Sequence, residues 1–190
     1  TVGAVSSTGD PTSVTINAAV DLTATSLAVA SNSGSQSLTI TGAGDVSIGT
    51  LDTDFATITT TGFTGGLTAT LSGTAATALT GGTGSDIITT SGTGQTGTIS
   101  GGDGTDTLVL ATAAAIDTTA EGAVYTDFET LRVADNASID MDLMTGSTIT
   151  GIQLTDGANA TAITDMNATQ AANVTVRVIN DTATFSVKNA

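Results

Sequence analysis

Residues 101–109 read Gly101-Gly102-Asp103-Gly104-Thr105-Asp106-Thr107-Leu108-Val109, and residues 81–89 read Gly81-Gly82-Thr83-Gly84-Ser85-Asp86-Ile87-Ile88-Thr89. Both fit one nine-residue pattern: Gly-Gly, any residue, Gly, any residue, Asp, any residue, a large apolar residue, any residue. Each part of the pattern has a physical reason. Glycine lets the backbone curl and aim successive carbonyls at one point. The Asp at the sixth place adds a carboxylate. The apolar residue two places later, Ile88 or Leu108, is expected to point inward and anchor a strand.

Such a loop is a set of oxygen donors, which suits a hard cation. Calcium takes six to eight oxygens, so one loop cannot encircle it, whereas two stacked loops can. Two nine-residue units make a coil of about 18 residues, and loops one coil apart lie on the same side of a solenoid. Gly81 and Gly101 are 20 residues apart. The reading is one calcium site between the two loops. Asp86 and Asp106 would face each other with carboxylate oxygens. Gly81, Thr83 and Gly101 would give carbonyls, and Asp103 a carbonyl or its side chain. The segment Thr90–Gly97 between the loops has glycine but no Asp, so no metal is expected there.

Outside the loops, short runs of alternating character recur. Examples are Val14-Thr15-Ile16, Ser37-Leu38-Thr39-Ile40, Ala56-Thr57-Ile58-Thr59, Leu67-Thr68-Ala69-Thr70-Leu71 and Val174-Thr175-Val176. A period of two is the signature of a strand with one face inward. Gly, Asn, Asp and Ser stand between the runs, as turns require. With four Phe, one Tyr and no Trp, the sequence lacks the large side chains that fill a sandwich about 10 Å thick. A narrow interior of Val, Ile, Leu and Ala stacked from coil to coil fits better. The predicted fold is all-β: a parallel β-solenoid, or β-roll, running as one continuous domain over residues 1–190, with the calcium loops at about 80–110. Ala111–Glu121 and Ile163–Ala172 break the alternation and could form helical turns. The chain begins at Thr1 and is expected to be a segment of a larger protein.

Composition excludes much. Net charge is −15, from 18 acidic and three basic residues. Such a chain repels phosphate, which excludes a nucleic-acid partner, and no apolar run is long enough to insert in a membrane. There is no His and no Cys, which removes the usual zinc ligands, the thiol nucleophile and the Ser-His-Asp triad. Arg132, Arg177 and Lys188 stand alone, too sparse for a polysaccharide lyase that needs a base and charge stabilisation. The expectation is therefore that the chain is not an enzyme. Mean hydropathy is +0.28, which argues against disorder in a chain rich in Gly, Ser and Thr. Weaker acidic pairs occur at Asp52/Asp54 and Asp140/Asp142, each expected to share a strand face if extended. Five Asn-x-Ser/Thr triplets, at Asn136, Asn159, Asn167, Asn173 and Asn180, carry little weight in a chain this rich in Thr.

The two nonapeptides resemble those of the repeats-in-toxin (RTX) proteins. The longer stretch from Gly101 to Val109, followed by Asp127-Phe128-Glu129-Thr130-Leu131-Arg132-Val133, resembles the bacterial surface-layer (S-layer) proteins of the RTX type. The motif likeness covers about residues 80–135. It implies a calcium-stabilised β-solenoid exported by type I secretion to the bacterial cell surface. There it would assemble with copies of itself into a two-dimensional lattice, held to cell-surface glycan or lipopolysaccharide through domains outside this chain. The alternative is a calcium-binding segment of an RTX adhesin or biofilm-matrix protein. Tyr125, the one residue of its kind, would be that reading's candidate for stacking on sugar.

Overall fold

The computed structural model describes residues 3, 5–30, 36–73, 77–134, 137–154, 161–176 and 183–188. The chain is an all-β parallel solenoid. One face carries nine strands in unbroken order: Val5–Ser7, Leu22–Val29, Val46–Leu51, Leu67–Thr70, Ile87–Thr89, Thr107–Leu110, Thr130–Val133, Gly151–Leu154 and Val174–Val176. A second face carries six, from Ser13–Ala18 to Tyr125–Thr126. A third, of three strands, is Ile139–Asp140, Ala162–Met166 and Thr184–Val187. Every pairing is parallel, because each strand bonds to its counterpart one coil away.

The coil is longer than the 18 residues of the ideal repeat. Registered partners on the first face lie from 19 residues apart (Thr68 and Ile87) to 24 (Leu22 and Val46). On the second face Ile99 and Tyr125 are 26 apart. The surplus there is taken up by a 3-10 turn at Ala113–Ala115 and a helix at Thr119–Ala123. That helix starts where a capping box can form, with Thr118 and Glu121 bonding each other's backbone amides. The second interruption divides: Ala162–Met166 is a strand and Ala168–Ala172 a helix, again with a capping box, from Asn167 and Gln170.

The core is built of ladders. On the first face Ala69, Ile88, Leu108, Leu131 and Ile152 are in register on successive coils, and all are buried. Ile88 and Leu108 thus point inward as their place in the loop pattern predicts. On the second face the ladder runs Leu38, Ile58, Leu79, Ile99, Tyr125. Four of the five large aromatics are spent inside: Phe55, Phe63, Phe128 and Tyr125 are fully buried, while Phe185 is exposed. Tyr125 therefore offers no ring to a sugar, and its hydroxyl is buried without a hydrogen-bond partner. Burial, and then the Glu121 charge, push its phenol above the ordinary range.

The acidic pairs also depart from expectation. Asp140 ends a strand and Asp142 lies in the following 3-10 turn, where Asp140 accepts the Asp142 amide at 2.9 Å. Lys188 is not isolated; it forms an exposed ion pair with Asp142 at 2.6 Å. Arg132 donates from Nε to Gln153 at 3.2 Å. Arg177 lies outside the described residues. Asp52 and Asp54 sit at a turn, where Asp52 accepts the amides of Val29 and Asp54. Of the triplet asparagines, Asn167 and Asn173 cap a helix, and Asn136, Asn159 and Asn180 lie outside the described residues.

Candidate metal site

The two glycine loops are corners, and they belong to a longer stack of corners. Thr64 donates to the Gly42 carbonyl, Thr83 to that of Phe63 and Asp103 to that of Gly82, each at 3.0 Å. Corner lies on corner through four coils, so the loops at 81 and 101 are two members of a column rather than an isolated pair. Tight stacking explains the glycines. Gly104 has φ of +142°, and a Cβ there would strike the Gly84 carbonyl. At Gly101 a Cβ would strike the carbonyl of Asp127 and crowd Asp106. Positive φ occurs at Gly102 and Gly104 but not at Gly81, Gly82 or Gly84, whose role is close approach.

Asp86 and Asp106 are wholly buried. They follow one another along the strand-to-strand ladder, one residue before the paired Ile87 and Thr107. Asp86 Oδ1 accepts the Leu67 amide at 2.7 Å, and Asp106 Oδ1 accepts the Asp86 amide at 2.7 Å. One coil on, Glu129 continues the series: its Oε2 accepts the Asp106 amide at 2.7 Å. Each carboxylate thus uses one oxygen to satisfy the backbone of the preceding coil. The residues Gly81 and Gly101 are buried beside their own Asp, 2.8 Å separating each Asp Oδ2 from the place a glycine Cβ would take. Thr83 and Asp103 are exposed at the outer rim. They line a cleft of about 390 Å³ together with Gly81, Gly82, Gly102 and Asp127.

The second carboxylate oxygens differ. Asp86 Oδ2 is approached by the Gly82 amide at 3.4 Å. Asp106 Oδ2 has no partner and is buried. A buried carboxylate oxygen left without a donor is costly unless a proton or a cation meets it. Burial is accordingly the largest influence on Asp106, whose carboxyl is pushed up to about 6; the charges of Asp86, Glu129 and Asp127 add to the rise and the Asp86 amide opposes it. Asp86 is raised too, by burial, against the amides of Leu67 and Gly82. Among the described residues no ion pair relieves this charge; the one ion pair there joins Lys188 and Asp142.

An oxygen-seeking cation fits this donor set, which is carboxylate, carbonyl and hydroxyl only. Among the described residues, no three acidic side chains converge into a ready metal cage. Backbone carbonyls and water would have to complete a calcium shell, the arrangement the loop pattern implies.

Asp127 and Glu129 lie at the next corner, outside the glycine pattern. Glu129 stands two residues before the inward Leu131, the spacing that separates Asp86 from Ile88 and Asp106 from Leu108. That acid-to-apolar spacing was the available signal; the lack of glycine hid it. Asp127 takes φ of +58°, and its Oδ2 accepts the Ser100 hydroxyl at 2.7 Å.

No protein-family model, curated protein or solved structure matches the chain.

Proposed function

We propose that the chain is a calcium-stabilised structural segment of a bacterial surface layer, working outside the cell by assembling with copies of itself. The observation that carries the calcium half is the unpartnered buried oxygen of Asp106, set in stacked glycine corners with no ion pair to balance it among the described residues. Calcium would be held by Asp86 and Asp106 with the carbonyls of the Gly81 and Gly101 loops, and Thr83 and Asp103 at the rim. Bound there, it supplies positive charge at a place where folding otherwise buries negative charge. The residues themselves hold the corners in register through the amide bonds of Asp86 and Asp106. Extracellular calcium modules bind at roughly 10⁻⁴ to 10⁻³ M, so such a site fills outside a cell and stays empty within it. Folding would then follow export.

The surface-layer half rests on the resemblance carried by the Gly101–Val109 and Asp127–Val133 segments. The burial of Tyr125 takes away the residue that the alternative adhesin reading would have used for stacking on glycan, although the exposed Phe185 remains. Static light scattering and negative-stain electron microscopy, with EGTA and then millimolar calcium, test the proposal. Sheets or large particles on adding calcium are expected. A calcium-loaded protein that stays monomeric at high concentration would turn the reading toward an adhesin or matrix segment.

A further inference from the structure

Negative charge is kept off the two long sheets. The net charge is −15. Yet no strand of the first or second face holds an Asp or Glu, and the one charged residue in those strands is Arg132, on the first face. The acids stand at strand ends instead, as Asp54 does before Phe55 and Asp127 after Thr126. The six strands of the second face therefore carry no charge.

Hydroxyl groups cover that face. Thr15, Thr39, Thr59 and Thr80 are in register on four successive coils, and Ser37 and Thr57 belong to a second row beside them. Leu38, Ile58 and Leu79, which alternate with these rows, are buried, so both rows point outward. Elsewhere Thr60, Thr77 and Thr93 spend their hydroxyls on carbonyls of a neighbouring coil. The hydroxyls of the two rows have no such partner among the described residues.

We infer that the second face is a docking surface for the second face of another copy of this chain. Three properties choose that occupant. A hydroxyl both donates and accepts, so a surface of hydroxyls is complementary to itself. Its repeat along the axis is the strand spacing of about 4.8 Å, which a second copy matches by construction. Two chains of charge −15 repel each other, and this face lets them touch with their acids held at the margins. The first face serves less well, because Ile87, Val109 and the long Arg132 interrupt its outward rows. The same patch on both copies makes a two-fold contact. Six strands about five residues wide cover roughly 400 Å² per copy, about half of a standard interface. One contact is therefore weak, and the concentration needed for pairing is the quantity to read.

This inference rests on the self-assembly reading, and one experiment separates the two. Sedimentation velocity of the whole chain in millimolar calcium, over a series of concentrations, measures pairing. The wild type is expected to pair as concentration rises. Thr39→Glu with Thr59→Glu sets carboxylates on the second face, where like charges meet across the contact; pairing should then need roughly tenfold more protein or more. Thr70→Glu with Thr89→Glu adds the same charge to the first face, also on adjacent coils, and should leave the wild-type concentration dependence nearly unchanged. Equal loss in both variants, or loss in neither, overturns the second-face contact and spares self-assembly through another surface. A wild type that stays monomeric throughout overturns self-assembly and this contact with it. Should the glutamate variants fail to fold, a milder change decides: the chain has no cysteine, so Thr59→Cys places a single thiol on the face. Its reaction with maleimide should slow as pairing sets in, and an unchanged rate overturns the contact.

Discussion

Replacing Asp106 by Asn separates what the buried carboxylate does without calcium from what it does with it. Asn keeps an acceptor for the Asp86 amide, the 2.7 Å bond made by Oδ1. It also places an N–H₂ group where Oδ2 has no partner, and it removes the charge. The magnitude follows from the proton equilibrium. In the folded chain the Asp106 carboxyl is pushed from 3.8 to about 6, chiefly by burial. Each unit is worth about 1.4 kcal/mol, so the ionised group opposes folding at pH 7 by about 3 kcal/mol, or about 2 kcal/mol once residual solvent screening is allowed for. The folded pKa lies above the unfolded one. Stability from this group is therefore complete below about pH 4 and lost as pH rises through about 6. In EGTA at pH 7, Asp106→Asn is expected to raise the melting temperature by about 4–8 °C, at roughly 2–4 °C per kcal/mol for a chain of this size. The gain should vanish near pH 4. In 10 mM calcium the sign should reverse, because the variant has lost a ligand. Thermal circular dichroism at both pH values, with and without calcium, measures all of this. Equal destabilisation in EGTA and in calcium would refute the reasoning, since Asp106 would then act only as a hydrogen-bond acceptor.

Three further substitutions probe the frame around the site. Tyr125→Phe removes a buried hydroxyl that has no partner and should stabilise by about 1 kcal/mol in urea unfolding. Gly104→Ala puts a methyl against the Gly84 carbonyl at a φ of +142° and should destabilise by about 2 kcal/mol or more, with weaker calcium binding as the corner opens. Leu108→Ala empties the middle of the first-face ladder, between Ile88 and Leu131, and should cost about 3 kcal/mol by the same assay while leaving the loop carboxylates in place.

Much of the fold is legible because a solenoid repeats one simple rule. Leu38-Thr39-Ile40 and Leu67-Thr68-Ala69 show alternation, and alternation against a narrow core leaves few choices of register. The inward turn of Ile88 and Leu108 follows from the same rule. The third face is less visible: Ile139–Asp140 is only two residues long, too short for a period to show. The helix at Thr119–Ala123 is also hard to foresee, since its stability comes from the Thr118–Glu121 box and contact with neighbouring coils rather than from its own length.

The stacked corners were legible in the sequence, but the bonding of their carboxylates was not. Glycine and Asp announce a corner that gathers oxygen. They do not reveal that each Asp spends one oxygen on the amide of the coil before it, because that depends on register between coils of unequal length. Nor do they reveal Glu129, whose longer side chain reaches the same backbone position from a corner without glycine. Tyr125 misled for a related reason. Its place in the ladder after Ile99 is set by a 26-residue coil, longer than any simple repeat would assign.

The most direct test of the central claim is the melting temperature of the wild-type chain in EGTA and in 10 mM calcium, with magnesium as the control. At the affinity of extracellular modules, the filled site should add roughly 1.4–2.7 kcal/mol. Calcium should therefore raise the melting temperature by several degrees, and magnesium should raise it far less. Identical melting in EGTA and calcium would contradict the account, leaving Asp86 and Asp106 as backbone acceptors in a solenoid that needs no metal.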